Sequence, residues 1–221
     1  MMLITCFNQY CLLALNLLFS NHRASRERMR IMSGENLRVF VAIDILEPNV
    51  LDQLSKIRDL LLESKADLKP VATENMHITL RFIGETPLHL VNSICNDLGK
   101  IEFEPFKIRI KGVGVFPNIA RPRVIWAGVS QGVENLSKLH DIVEKILRKH
   151  GVPPQREKFI PHITLARVKS GRNISRLVKI IESIADTDFG EVLVDRIVLK
   201  RSILTPSGPI YRDICVAKAR E

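Results

Sequence analysis

The sequence predicts an α+β protein of two pseudo-symmetric lobes, each an antiparallel sheet packed with helices, with a central groove between them. Two observations carry this prediction. Strand-like and helix-like segments alternate along the chain, and the tetrapeptide HITL occurs twice, beginning at His77 and at His162. Each copy lies in a predicted strand that has helices on both sides. A repeated order of elements indicates two similar lobes related by a pseudo-twofold axis.

The first half of the chain reads as strand, helix, loop, strand, helix and strand. Alternating β-branched residues indicate the strands, and apolar residues at helical spacing indicate the helices. Pro48 and Pro87 each stand where a first helical turn begins, and Gly99 follows the second helix as a stop signal. The predicted ranges are strand 38–45, helix 48–61, loop 70–75, strand 76–84, helix 87–98 and strand 103–116.

The second half repeats this order and adds strands at its end. A turn that contains proline leads into a strand, a helix, the second HITL strand and another helix. The predicted ranges are strand 123–129, helix 133–150, strand 159–168, helix 174–184, and closing strands 191–204 and 211–217.

Composition gives weaker indications. The 221 residues are 46% hydrophobic and 26% charged, as in a globular protein with a real core. The net charge of +9 favours an anionic partner such as nucleic acid or a nucleotide, although a solvated basic surface gives the same excess. The four cysteines form no CxxC motif and no metal-ligand spacing, so we expect free thiols in a cytoplasmic protein. They are Cys6, Cys11, Cys95 and Cys215.

Residues 1–32 differ from the rest of the chain. Their apolar stretch is interrupted by polar residues, is shorter than the roughly 20 residues that a spanning helix needs, and is followed rather than preceded by arginines. We expect an N-terminal extension outside the fold, with a working start near Met29 or Met32. Residues 33–221 are predicted to form the bilobal domain. A membrane anchor is the alternative interpretation of the extension.

The HxT pattern places a histidine and a threonine on one face of each strand. Side chains two residues apart point the same way, so His77 shares a face with Thr79 and His162 shares a face with Thr164. The intervening isoleucine and leucine point to the opposite face, where helices can cover them. If a twofold axis relates the lobes, two imidazoles and two hydroxyls surround one small volume in the groove.

This constellation suits a cyclic phosphodiester. One neutral imidazole can take a proton from attacking water while the other, as imidazolium, gives a proton to the leaving ribose oxygen. Threonine hydroxyls can donate to the phosphate oxygens, where negative charge develops. The chemistry needs no cofactor and no metal, and neither motif has a third ligand at zinc spacing. The alternative interpretation is a repeated strand that has a structural role and no catalytic one.

The paired motifs resemble the 2H phosphoesterase superfamily, in particular its LigT-like branch, the RNA 2′,3′-cyclic phosphodiesterases that are also called 2′-5′ RNA ligases. The resemblance extends over about residues 37–217. The segments that carry it are 38–45, 75–85 (NMHITLRFIGE), 122–129 (PRVIWAGV) and 159–167 (FIPHITLAR).

The resemblance implies hydrolysis of RNA 2′,3′-cyclic phosphate ends to 2′-phosphates, and reversible, ATP-independent 2′-5′ ligation. It implies that His77 is the proton donor and His162 the acceptor, although identical motifs leave these roles interchangeable from the residues alone. Arg167 completes the family's HxTxxR pattern and is the first candidate for a phosphate clamp, with Thr79 and Thr164 as further phosphate-binding residues.

Strand parity conflicts with the Arg167 assignment. Strict alternation puts Arg167 on the face opposite His162 unless the strand ends or bulges near Ala166. Arg81 has the right parity with His77 and is the alternative clamp.

The expected partner is an RNA or nucleotide with a 2′,3′-cyclic phosphate, bound by a monomer that needs neither metal nor membrane. Two alternative functions stay open at this point. One is a nucleotide-binding or RNA-binding module without turnover. The other is a phosphodiesterase that acts on 2′-5′ oligonucleotides.

Overall fold

The computed structural model describes residues 36–206 and 208–220, so the predicted extension, residues 1–32, lies outside the described residues. The described chain forms nine strands, four α-helices and a 3₁₀ turn at Thr73–Asn75. The strands are β1 (Asn36–Asp44), β2 (Leu68–Pro70), β3 (His77–Pro87), β4 (Phe106–Phe116), β5 (Val124–Gln131), β6 (His162–Val168), β7 (Asp188–Val194), β8 (Arg196–Thr205) and β9 (Gly208–Lys218). The helices are α1 (Pro48–Leu62), α2 (Leu88–Leu98), α3 (Val133–Lys149) and α4 (Ile174–Ser183).

All strands belong to one antiparallel sheet in the order β7-β4-β5-β6-β3-β1-β8-β9, with β2 added to β6. The sheet narrows at its centre, where β3 and β6 pair only through Ile78 and Ile163. Four strands of this order lie on each side of the junction. We call β1, β3, β8 and β9 the first lobe, and β4 to β7 together with β2 the second lobe. The predicted two-lobed α+β architecture is confirmed.

The helices cross between the lobes. Helix α1 follows β1 of the first lobe but packs against β6 and β7 of the second. Helix α3 follows β5 of the second lobe but packs against β3 of the first. Each lobe therefore donates the helix after its first repeat strand to the other lobe, in agreement with a pseudo-twofold relation. This exchange ties the two sheets together and limits how far they can separate.

Strand β1 is buried on both faces, which explains its almost continuous apolar sequence. Val39, Val41 and Ile43 belong to the hydrophobic core under the helices. Phe40 points to the other face and is only 3% exposed. Each fully buried apolar side chain of this size stabilises the fold by about 1.5–3 kcal/mol, so β1 is a central support of the first lobe.

The helices follow their predicted ranges closely. In α3 the residues Leu136, Leu139, Val143 and Leu147 are buried, and their spacing of three or four residues defines one apolar stripe. Pro48 begins α1, and Gly99 lies at the C-terminal cap of α2. In the part of the chain that the structure describes, no helix is long and apolar enough to cross a bilayer.

The strand predicted over residues 191–204 is wrong as a single element. The chain divides at Asp195 into β7, which pairs with β4, and β8, which pairs with β1. The two strands belong to different lobes, so the chain changes lobe at this residue. Apolar runs on both sides of Asp195 and Arg196 concealed the break. The short strand β2, Leu68–Pro70, was not predicted, and the predicted loop over residues 70–75 contains the 3₁₀ turn.

The expectation of free thiols is wrong for two of the cysteines. Cys95 of α2 and Cys215 of β9 form a disulfide across a sequence separation of 120 residues, with their Cα atoms 6.0 Å apart. Because this pairing depends on the way α2 packs against β9, the spacing of the cysteines gave no sign of it. Cys6 and Cys11 lie outside the described residues.

Candidate active site

The two HITL strands meet at the centre of the sheet. Antiparallel pairing through Ile78 and Ile163 puts each histidine across from the threonine of the other motif. The two histidines are thus diagonal neighbours, and such positions are about 7–8 Å apart in an ordinary ladder. The isoleucine and leucine of each motif are at most 1% exposed, as the alternation predicts. The polar face and the apolar face are therefore separated as expected.

Both polar faces line one cleft of about 1030 Å³. His77, Thr79, His162 and Thr164 all contribute to its wall. The further lining residues include four basic side chains, three aromatic rings and one carboxylate. They include Arg38, Phe40, Lys69, Glu74, Phe82, Arg167, Lys200 and Tyr211.

The two imidazoles are oriented in the same way. His77 Nδ1 lies 2.7 Å from the carbonyl oxygen of Asn75, and His162 Nδ1 lies 2.7 Å from that of Ile160. A carbonyl only accepts, so each Nδ1 carries a proton and donates it to the residue two positions earlier. In the neutral ring, Nε2 is then a free base. Both histidines are thereby prepared to exchange a proton at Nε2.

Thr79 contacts the first of these reactive nitrogens. Its hydroxyl oxygen lies 3.1 Å from His77 Nε2. When His77 is neutral, the hydroxyl donates to Nε2. When His77 is protonated, Nε2 donates to the hydroxyl oxygen, and the threonine proton becomes available to another acceptor in the cleft. The pair therefore couples the protonation of His77 to the direction of a hydroxyl donor.

Two aromatic rings flank His77. Its ring centroid is 5.1 Å from that of Phe40 and 5.3 Å from that of Tyr211, and the contact with Tyr211 is edge-on. Phe40 and Tyr211 also contact each other, at 5.0 Å. These rings exclude water from one side of the imidazole and fix its plane.

His162 has a similar aromatic support from other strands. Phe116 lies 5.0 Å from its ring, edge-on, and Trp126 lies 6.2 Å away. The Trp126 ring packs directly over Gly114 on the neighbouring strand, where an added Cβ would lie 2.3 Å from ring atoms. Glycine at this position is therefore required for the indole to support the second histidine.

Burial is the main influence on the pKa of His77 and lowers it below its usual value. The hydrogen bond to Asn75 and the negative charge of Asp44 act in the opposite direction, in that order of size. The positive charge of Lys200 and the neighbouring His162 contribute further small decreases. The free protein therefore favours neutral His77, with Asp44 as the nearby charge that stabilises its imidazolium form.

The pKa of His162 is also lowered, mainly by burial of the ring. The hydrogen bond to the Ile160 carbonyl raises it in part, and the positive charge of Arg167 lowers it further. The two histidines thus have charged neighbours of opposite sign, a carboxylate at His77 and a guanidinium at His162. This difference is absent from the identical motifs.

A β-bulge places Arg167 on the cleft side of β6. On the neighbouring strand Ile125 faces Ala166 while the next residue faces Thr164, so Leu165 is an extra residue in β6. The bulge reverses the alternation after Leu165, and Arg167 consequently lines the same cleft as His162. From the sequence, Arg167 could reach the face of His162 only if the strand ended or bulged near Ala166. The structure has such a bulge.

An equivalent bulge turns Arg81 away from the cleft. On β1, Val41 faces Arg81 while the next residue faces Thr79, so Leu80 is the extra residue in β3. The Arg81 guanidinium instead pairs with Glu144 of α3, whose side chain is only 8% exposed. Arg81 does not line the cleft, and its prediction as the alternative phosphate clamp is wrong because strict alternation requires an unbroken strand.

Several cleft residues were not selected from the sequence. Lys69 of β2 lies opposite Arg167 in the ladder, and Lys200 of β8 pairs with Asp44 at 2.9 Å. Their positions depend on strand pairings that no local pattern reveals. The alternation of β1 could have assigned Phe40 to the groove face. Tyr211 had no signal in the sequence.

The described chain offers no cluster of metal ligands. Across residues 36–206 and 208–220, no three or more His, Cys, Asp or Glu side chains are grouped in a way that could hold a metal ion.

A sheet of two lobes that brings two HxT strands to one cleft is the architecture of the two-histidine (2H) phosphoesterases, and this is the class that fold and cleft define. Within that class, a family model described as LigT-like phosphoesterase matches residues 43–126 and again residues 128–211. The chain belongs to the LigT-like phosphoesterase family. The double match agrees with the internal repeat of the sequence.

Similar proteins include two that are named RNA 2′,3′-cyclic phosphodiesterase. The chain is 43% identical to an RNA 2′,3′-cyclic phosphodiesterase of Aeropyrum pernix over 170 residues, which cover 77% of this chain and 97% of that protein. It is 39% identical to a protein of the same name from Methanothermobacter thermautotrophicus over 181 residues, which cover 80% of this chain and 96% of that protein.

Solved structures show the same fold. The crystal structure of Escherichia coli LigT in its apo form superposes with a TM-score of 0.69 at 25% identity, over 85% of this chain and 99% of that one. A crystal structure of a Thermus thermophilus protein gives a TM-score of 0.66 at 28% identity, over 82% of this chain and 97% of that one.

Proposed function

We propose that this protein hydrolyses 2′,3′-cyclic phosphate ends of RNA to 2′-phosphates, with His77 and His162 as a metal-free acid–base pair. The observation that carries the proposal is the shared cleft: both imidazoles line it, and in each one the Nδ1 proton is held by a carbonyl, which leaves Nε2 to react. The names of the Aeropyrum pernix and Methanothermobacter thermautotrophicus relatives support the same substrate.

The charged neighbours of the two histidines support distinct roles. The Asp44 carboxylate favours the protonated form of His77, which is suited to be the general acid. The Arg167 guanidinium disfavours a second positive charge on His162, which is suited to be the general base. A phosphate that enters the cleft brings negative charge to both rings and raises both pKa values, most usefully that of His77.

The reaction then proceeds in one displacement at phosphorus. His162 Nε2 takes a proton from water as the water oxygen bonds to phosphorus. The bond from phosphorus to O3′ breaks, and O3′ receives the Nε2 proton of His77, which gives a 2′-phosphate and a 3′-hydroxyl. Exchange with solvent returns a proton to His77 and removes one from His162. General acid–base catalysis of this kind contributes about 10²–10⁴-fold to the rate.

The two threonines and Arg167 are proposed to bind the phosphate oxygens. When the Nε2–H of protonated His77 is directed at O3′, the Thr79 hydroxyl no longer donates to Nε2, and its proton can turn to a non-bridging oxygen. Thr164 occupies the corresponding position in the second motif, and Arg167 supplies a guanidinium on the same side of the cleft. Donors fixed before the reaction stabilise the charge that builds up in the transition state.

A second activity, 2′-5′ ligation, uses the same groups. A ribose 5′-hydroxyl can replace water as the nucleophile, and the departing O3′ leaves a 2′-5′ phosphodiester without any need for ATP. A pair of basic side chains near His162 favours this activity. Lys69 lies opposite Arg167 in the β2–β6 ladder, and both line the cleft. Together they can hold a phosphate of an acceptor strand.

Product analysis on a defined RNA with a 2′,3′-cyclic phosphate end tests the proposal. We expect a 2′-phosphate end in the presence of EDTA, and a rate that falls at least a hundredfold in His77→Ala and in His162→Ala. Addition of a 5′-hydroxyl RNA should yield some 2′-5′ joined product. Unchanged turnover in both variants would overturn the mechanism. Binding of a 2′-phosphonucleotide without any product would instead favour a binding module.

We propose a monomer with residues 33–221 as the catalytic domain and residues 1–32 as an extension, located in the cytoplasm. Static light scattering tests the oligomeric state and fractionation of the expressing cells tests the location, both separately from activity.

A further inference from the structure

Arg38 of β1 lines the cleft and has no polar partner among residues 36–206 and 208–220. Its guanidinium carbon lies 4.9 Å above the ring centroid of Phe82. Its Nε is buried and without a hydrogen-bond partner, and the side chain makes no ion pair with any described residue. A guanidinium carries five donors and favours bidentate contact with phosphate or carboxylate, so an unpaired one beside a cleft indicates a site for an anion.

The pseudo-twofold relation gives this arginine a counterpart. Arg167 stands five residues after His162, and the residue five after His77 is Phe82. Both positions face the cleft because both motif strands bulge at their leucine. The first lobe therefore has an aromatic ring where the second has a guanidinium, and that ring supports the guanidinium of Arg38 from the neighbouring strand. Each lobe thus places one arginine in the cleft wall. In the second lobe it comes from the motif strand itself, and in the first lobe it comes from the neighbouring strand β1.

Arg38 lies on the side of the leaving ribose. In the proposed mechanism His77 protonates O3′, so that ribose and the RNA chain attached to it extend into the first lobe. Phe40, which contacts His77, is two residues from Arg38 on the same face of β1, a separation of roughly 6.5–7 Å. Arg38 is therefore further from His77 along β1 than Phe40 is, and it still lines the cleft.

Lys200, the other cation that the first lobe places in the cleft wall, is already neutralised. Lys200 donates to Asp44 and Asp213, and the positive charge is shared between two carboxylates. Of the described first-lobe residues that line the cleft, Arg38 is then the cation whose charge is available to a ligand. Lys69 and Arg167 line the cleft from the second lobe.

We infer that Arg38, supported by Phe82, binds the internucleotide phosphate that precedes the cyclic end, so that the cleft selects RNA ends over cyclic mononucleotides. The inference rests on the proposed function. It assigns to Arg38 a role in substrate selection rather than in proton transfer. The predicted preference for RNA ends over cyclic mononucleotides depends on the charge of the internucleotide phosphate.

The test compares three substrates: cytidine 2′,3′-cyclic phosphate, a dinucleotide with a 2′,3′-cyclic end, and the same dinucleotide with an uncharged methylphosphonate linkage. We expect the wild-type kcat/KM to be about tenfold higher for the charged than for the uncharged dinucleotide, the usual size of a charge-assisted contact. Arg38→Gln should reduce that ratio to within about twofold. Arg38→Lys should give an intermediate ratio.

Arg176→Gln is the matched control, because Arg176 is exposed on α4 and is absent from the cleft wall. It removes the same charge from the protein and should leave the ratio at its wild-type value. A ratio unchanged in Arg38→Gln, or an equal loss on all three substrates, would overturn the assignment. Wild-type turnover without preference for the charged linkage would overturn it while the proposed function stands. No turnover of any substrate would remove both.

Discussion

The Asp44 carboxylate and the Lys200 ammonium group form an ion pair of 2.9 Å at the edge of the cleft, next to His77. Burial alone would lower the pKa of Lys200, but its hydrogen bonds to Asp213 and Asp44 outweigh this and raise it above the usual value. The lysine therefore stays charged, and Asp44 is held in place beside the histidine. The pair makes the surroundings of the two histidines unequal.

Asp44→Asn should lower the pKa of His77 further, because it removes the negative charge that stabilises the imidazolium. If His77 is the general acid, the basic limb of the kcat/KM–pH profile then moves to lower pH, and the rate above neutrality falls several-fold. Asp213→Asn is the matched control, since it removes the other carboxylate of Lys200. Movement of the acidic limb instead would reverse the roles of the two histidines.

The pH profile of the wild-type protein follows from the direction of both pKa shifts. The base must be neutral and the acid protonated, and burial lowers the pKa of each free-state histidine below 6.5. We expect a bell-shaped kcat/KM profile with its maximum below pH 6.5. The maximum of kcat should lie at higher pH, because bound phosphate raises both pKa values. Coincident maxima would contradict this account.

The same shifts make stability depend on pH. Below pH 6.5 the unfolded chain protonates these histidines more readily than the folded chain does, so protonation favours unfolding. The free energy of unfolding should therefore rise with pH through the range of the histidines and level off above pH 6.5. Urea titrations of the wild type and of a His77→Gln/His162→Gln double variant measure this contribution. An identical pH dependence in both would exclude it.

The two arginines near the motifs should respond oppositely to substitution. Arg81→Met leaves Glu144 buried without its main partner, which should cost about 3 kcal/mol in the free energy of unfolding and change kcat/KM little. Arg167→Met removes an exposed side chain from the cleft wall, so kcat/KM should fall at least tenfold with stability within about 0.5 kcal/mol of wild type. Denaturant titration and steady-state kinetics on both variants check this contrast.

The disulfide between α2 and β9 should stabilise the first lobe. A Cys95→Ser/Cys215→Ser double variant should lose about 2–4 kcal/mol in the free energy of unfolding. Dithiothreitol should lower the unfolding midpoint of the wild type to that of the variant and leave the variant unchanged. A wild-type midpoint that ignores the reductant would mean that the bond is not formed in solution.

Gly114→Val should displace the indole that supports His162, since the added Cβ would meet the Trp126 ring. We expect a loss of about 1–3 kcal/mol in stability, a lower kcat and a shifted fluorescence emission. Trp126 is the only tryptophan in the sequence, so the emission reports on this ring alone. Gly171→Val is the control, because no atom lies within 4 Å of a Cβ added there. Equal emission in both variants would contradict the contact.

The sequence by itself determined the lobes, the helices and the polar face of each motif strand. These features depend on local periodicity: alternation of two assigned His77 and Thr79 to one side of β3, and the recurrence of HITL predicted the second copy. Helix boundaries followed from proline, glycine and apolar spacing. Such signals act within one element, so they can be recognised without knowing what the element packs against.

Only the tertiary structure decided which arginine reaches the cleft, how α1 and α3 cross between the lobes, and that Cys95 meets Cys215. A bulge is set by the register with the neighbouring strand, and one extra residue reverses every later side chain. That reversal brought Arg167 to the cleft and sent Arg81 to Glu144. The surroundings that distinguish the two histidines likewise come from strands far away in sequence, because charge acts through space.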